Sequence, residues 1–196
     1  MIDLKECAKS LEDAPNCLEF LQAWMRWRGE KLIASASSVR PEELGTTLDE
    51  LAVLEYQPPG AVNFRLAGAT QVHMMNRPLR GENLMDLTAP SDYEGRLSIA
   101  RNTTSYPCGL LATWTASQAS ELMSPMCTLL LPVLPPVSEG PVRLYVAVDR
   151  LADLPKRNYE PLKTYPTPGE RIYVDLGHGA PSDEDDFQQP PRQIAC

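Results

Sequence analysis

The chain has 196 residues and 43% hydrophobic content, a length that fits one buried core with appended segments and is short for two domains. Its 26 acidic side chains against 18 basic ones leave a net charge of −8, which argues against a nucleic-acid grip built on phosphate neutralisation. The start Met1-Ile2-Asp3-Leu4-Lys5-Glu6 lacks the basic flank and apolar stretch of a secretory leader, and the apolar run Met126 to Leu134 is broken by Pro132, so neither export nor a membrane span is expected. Cys7, Cys17, Cys108, Cys127 and Cys196 are irregularly spaced with no C-x-x-C pair; reduced thiols and a cytoplasmic location are the expectation.

In chain order, Asn16 and Glu19 have the spacing of a capping box before a helix from about Cys17 to Arg28. Its apolar residues Leu18, Phe20, Leu21, Trp24, Met25 and Trp27 spread wider than one stripe, which leaves two readings open: a second surface for dimerisation through Leu21, Trp24, Met25 and Trp27, or cover for the core. Lys31 to Arg40 carries no clear period. Pro41-Glu42-Glu43-Leu44 predicts a short helix to about Asp49, with proline in its first turn and acids at its positive end. Leu51 to Gln57 and Val62 to Ala69 read as strands joined across Pro58-Pro59-Gly60.

Helical composition follows from Ala69 to Asn76, then a turn and short helical piece at Gly81 to Leu87. A better defined helix from Pro90 to Asn102 has Ser91 as its cap. Cys108 to Thr115, Met123 to Val133 and Val142 to Val148 are three further strands. Ile172-Tyr173-Val174 adds an edge strand or an extended arm, and from His178 the run Ser182-Asp183-Glu184-Asp185-Asp186 reads as a disordered acidic tail. The expected organisation is N-terminal helices over 1–50, a core over 51–150, an arm over 151–177 and the tail over 178–196. Two strands, helices, then three strands give an α+β fold: a five-stranded antiparallel sheet with a helical crossover.

Phe64-Arg65-Leu66-Ala67-Gly68, the helical stretch to Asn76, and Leu79-Arg80-Gly81-Glu82-Asn83-Leu84-Met85-Asp86-Leu87 resemble the PAS domain, in which a second strand closes on a glycine and a short helix and turn lead to a long connecting helix. With the Trp24/Trp27 helix, Arg40-Pro41-Glu42-Glu43-Leu44 and Leu131-Pro132-Val133, the region from Leu18 to about Leu151 resembles the alphaproteobacterial single-domain PAS family. The Ser/Ala-rich segment before Pro41 departs from that family, and the tail has no counterpart in it.

The resemblance implies a sensing or signalling module but not its ligand, which the residues must supply. His73 is the sole histidine of the body and precedes the connecting helix, so haem is disfavoured; no flavin-type Asn-Cys-Arg-Phe-Leu-Gln string occurs, and neither cofactor is expected. Cys108, Cys127 and His73 lack ligand spacing, so no metal is expected. No nucleophile elbow, phosphate loop or His-Glu-x-x-His helix is present; with no catalytic residues to assign, the chain is expected not to be an enzyme.

A pocket between sheet and connecting helix is expected to be lined by Leu66, Val72, Met75, Tyr93, Leu97, Trp114, Met126 and Leu130, with Arg65 or Arg101 to hold a carboxylate; ordinary core packing is the competing account. The expected function is regulatory, through a homodimer and a protein signalling partner that meets the N-terminal helix and an exposed sheet face. The alternative is a sensor or carrier of a small apolar or carboxylate ligand.

Overall fold

The computed structural model describes residues 1–106, 108–118, 120, 122–136, 140–151 and 160–181. Eight strands form one sheet: β1 Ile2–Asp3, β2 Ala34–Ser35, β3 Leu51–Gln57, β4 Ala61–Ala67, β5 Cys108–Ser117, β6 Met123–Leu134, β7 Arg143–Arg150 and β8 Thr167–Asp175. The order is β1-β8-β5-β6-β7-β3-β4, with β2 paired to β6. The five expected antiparallel strands are contiguous, β5-β6-β7-β3-β4, and run to the β4 edge. The sheet is wider than expected: β8 adds antiparallel to β5, and the two-residue strands β1 and β2 pair in parallel with β8 and β6. Ile172-Tyr173-Val174 is thus part of a strand, with β1 along part of its outer side.

Four α-helices, α1 Leu4–Ser10, α2 Pro15–Arg28, α3 Ala69–Met75 and α4 Tyr93–Ser105, cover the sheet on both faces. The alternation of a strand divides the residues between them. Leu129, Leu131 and Val133 of β6 pack with Cys17, Phe20, Leu21 and Trp24 of α2 and with Cys7 of α1, whereas Met126 and Leu130 face a second core that includes Met74 of α3 and Ala100 of α4. Three consecutive leucines in β6 fit a strand buried on both sides. Both faces of the central strands are thus packed against helices, and exposed sheet positions such as Leu66 and Met123 lie toward the margins.

The dimer assignment is corrected for three of its four residues. Leu21 and Trp24 are fully buried and Trp27 nearly so, all within the chain's own core; of that group Met25 alone reaches solvent, at 41% exposure. Trp24 donates its indole N–H to the Pro132 carbonyl at 2.9 Å, and Trp27 meets the rings of Phe20 and Tyr145 edge-on, each at 6.4 Å between centroids. The broad apolar surface of α2 is needed because it packs into both the sheet and the 3-10 segment Pro41–Glu50, which Thr47 ties to Glu19 at 2.6 Å.

The start of α2 also differs. Ala14 is its N-cap, without a side-chain bond, and the cap comes instead from the sheet: Asp149 of β7 accepts the Asn16 backbone N–H at 2.7 Å and the Asn16 side-chain amide at 3.1 Å. Ser91 likewise makes no cap; Pro90–Asp92 is a 3-10 turn leading into α4. A capping box does occur at α1, where the Asp3 carboxylate receives the Lys5 and Glu6 backbone N–H groups and Glu6 returns to the Asp3 backbone. That helix was not anticipated.

Burial pushes the thiols of Cys7 and Cys108 from an ordinary 9.0 up to about 12, helped by Cys127 beside Cys7 and Asp175 beside Cys108; Cys17 is also driven well upward, by burial and then by Cys127. An unfolded chain would ionise these thiols near pH 9 while the native one holds their protons. Their contribution to stability is therefore complete below pH 9 and is lost as pH rises toward 12. At about pH 10 each of Cys7 and Cys108 should cost roughly 1.4 kcal/mol. Urea titrations under reducing conditions should show a lower midpoint there than at neutral pH, with about a third of the thiols' share of the drop removed in Cys108→Ala; equal midpoints would contradict this account.

Residues 152–159, in the expected arm, and 182–196, including the acidic run and Cys196, lie outside the described residues. Residues 178–181 are described: the Gly179 N–H is donated to the Asp175 carboxylate and Ala180 packs on the second core.

Candidate functional site

Between the sheet and the α3/α4 layer lies a cavity of about 160 Å³. Its floor is apolar sheet surface, including Ala52, Leu54, Leu110, Leu130 and Val146; α3 contributes Gln71, Met74 and Met75, and α4 contributes Arg96, Ile99 and Ala100. Gln71, Met74 and Met75 have the i, i+3, i+4 spacing that places side chains on one face of a helix. Pro166, Pro168 and Arg171, from β8 and the segment leading into it, form the remaining side.

Three of the expected residues, Met75, Trp114 and Leu130, line this cavity. The Trp114 indole is fixed by a 2.8 Å bond from Nε1 to Thr128 Oγ1. Met126 is fully buried in the same layer but outside the lining, and Tyr93 and Leu97 are half-buried and pack on the second core without lining the cavity. Leu66, at 48% exposure, belongs instead to an outer groove with Arg65, Val72 and His73.

A bulge causes this displacement. Val53 of β3 pairs with Leu66 and Leu54 with Phe64, so Arg65 is an extra residue. The parity that sends Val62 and Phe64 inward is broken there, and Leu66 turns outward. Arg65 pairs with Glu55 at 3.5 Å outside the cavity. Arg101 is on α4 but not in the lining: at 3.6 residues per turn it projects roughly 140° away from Arg96.

The cationic groups of the cavity are thus Arg96 and Arg171, neither of which was anticipated. Both meet the buried Asp92 at the start of α4: Arg96 Nε contacts Oδ2 at 2.8 Å, and Arg171 Nη2 contacts Oδ1. Arg96 had a readable signal, since it and Ile99 fall on one helical face; Arg171 lies 79 residues from Asp92 and gave none.

The other chemically active side chains lie elsewhere. His73 is exposed on α3 and borders the outer groove. The Cys108 thiol is fully buried and held protonated up to about 12, the opposite of an activated nucleophile. Among the described residues no group of three or more His, Cys, Asp or Glu side chains is placed to hold a metal ion, and no helix is long and apolar enough to cross a membrane.

No curated protein and no solved structure matches the chain. A family model described as the PAS domain matches residues 13–145, from the start of α2 into β7. A central antiparallel sheet with its helical crossover, and a match over more than half of the sequence, establish that the chain belongs to the PAS domain family of signalling and sensory modules.

Proposed function

We propose that this protein is a non-enzymatic PAS sensor that holds a small molecule in the cavity between the sheet and α3/α4, and passes its ligand state to a protein partner. The observation that carries this reading is the cavity itself. Protein interiors leave few voids larger than water, and an apolar space of about 150 Å³ is enough to take up benzene; here the volume is about 160 Å³, bounded by side chains of two helices and the sheet. The direct-interaction reading is weakened because the apolar side of α2 and both faces of the central strands are engaged internally. A cytoplasmic site of action is part of the proposal, supported by four free buried thiols among the described residues, which suit a reducing compartment.

The test is to fill the space. Ala112 lies in the lining, and Ala112→Leu should leave the fold within about 1–2 kcal/mol of the parent while occupying the site. Native mass spectrometry should find a small molecule carried by the purified parent protein and absent from the variant, and toluene should raise the parent's melting temperature alone. A parent protein that carries nothing and ignores toluene would overturn the sensor reading.

A further inference from the structure

From the charge cluster at the edge of this cavity we infer that the ligand is an organic acid, with a small apolar body in the cavity and its carboxylate on Arg96 and Arg171. The inference rests on the sensor reading above and adds the chemical class of the ligand.

Two guanidiniums converge on one carboxylate, Asp92, so the cluster keeps one positive charge in excess. Asp92 is 5% exposed, whereas the arginines keep 25% and 29% of their side-chain surface, which places the unneutralised charge where a ligand can reach it. Each arginine engages Asp92 through one nitrogen, Nε of Arg96 and Nη2 of Arg171, and neither has another hydrogen-bond partner among the described residues. Most of both donor forks is therefore available, in the planar geometry that suits a carboxylate.

The other polar groups of the lining are neutral, and each has a partner within the protein. Gln71 donates to the Glu50 carbonyl at 3.0 Å, Thr128 Oγ1 accepts from Trp114, and Thr113 Oγ1 accepts from the Glu170 backbone at 3.0 Å. The arginines are the charged donors that can orient an anionic guest. Space for one of them is built into the helix: a Cβ at Gly95 would lie 2.6 Å from Arg171 Nη1, so glycine at this point of α4 lets the β8 arginine cross to Asp92. The cavity volume suits an acid of the size of hexanoate or benzoate, whose apolar part can contact Leu54, Leu110 and Ile99.

The probes are butyrate, hexanoate, octanoate and benzoate, each paired with its neutral amide, measured by calorimetry and thermal shift on the full chain. At least one acid should bind about tenfold or more tighter than its amide, and Arg171→Gln and Arg96→Gln should each remove that preference while toluene still stabilises the variants. Arg65→Gln, outside the cavity, should leave the preference intact. If amides and acids bind alike, or if toluene binds and no acid does, the acid inference is overturned and the sensor reading stands. Retention of the preference in both cavity-arginine variants would also overturn it. Silence from every probe, toluene included, would remove both readings together.

Discussion

Trp24→Ala should destabilise the protein by about 3–5 kcal/mol and move its urea midpoint sharply downward. The indole is fully buried, and its removal opens a cavity among Phe20, Leu21 and the leucines of β6. It also takes the donor from the Pro132 carbonyl and the ring from beneath the Arg28 guanidinium, which lies 5.6 Å from its centroid. Loss of that hydrogen bond alone costs about 0.5–1.5 kcal/mol. Met25→Glu on the same helix is the contrast, expected within about 0.5 kcal/mol of the parent because its side chain already meets water. Light scattering distinguishes packing from assembly: if Trp24→Ala instead gave a stable protein of smaller assembly size, the core assignment of α2 would fail.

Gly68→Ala should be nearly as damaging, at about 3 kcal/mol or more, and should impair the cavity as well. Gly68 lies where β4 turns into α3, donating its N–H to the Leu51 carbonyl at 2.7 Å. Its backbone angles are ordinary; space is what demands glycine, because a Cβ would stand 2.5 Å from the Leu48 carbonyl oxygen and closer still to that of Asp49. Those oxygens belong to backbone at the end of the 3-10 segment, where Leu51 enters the central strand β3, so they cannot swing aside like the tip of a side chain. Relief requires α3 to move, taking Gln71, Met74 and Met75 away from the cavity. Loss of toluene stabilisation together with a lower denaturation midpoint is expected; a midpoint within about 0.5 kcal/mol of the parent would show that this junction yields.

The fold was legible wherever local period and punctuation agree. Leu51–Gln57 carries the apolar residues Leu51, Val53, Leu54 and Tyr56 and stops at Pro58-Pro59-Gly60, and its bounds coincide with β3. The helix after Gly68, the connecting helix α4 and the three later strands also lie close to their expected positions. What was not legible depends on partners far along the chain. Asn16 and Glu19 have the spacing of a local cap, yet Asp149, 133 residues from Asn16, performs the capping. The alternation of β4 points Leu66 inward, but pairing with β3 inserts a bulge that no pattern within β4 discloses. Arginine chemistry at the cavity was anticipated in kind and misplaced in position: Arg65 and Arg101 lie on the wrong sides of their elements, while Arg171 comes from a strand beyond the family match.

The order of the strands has a further consequence for what counts as the functional unit. The family match ends at residue 145, but Pro166, Pro168 and Arg171 of the cavity come afterwards, and β8 is held between β5 and the first residues of the chain. The matched region thus supplies most of the cavity wall, and β8, braced by the first residues of the chain, adds one side of it with Arg171. Under the proposed sensor function, divergence in the segment that carries β8 would alter ligand preference while leaving the shared scaffold untouched.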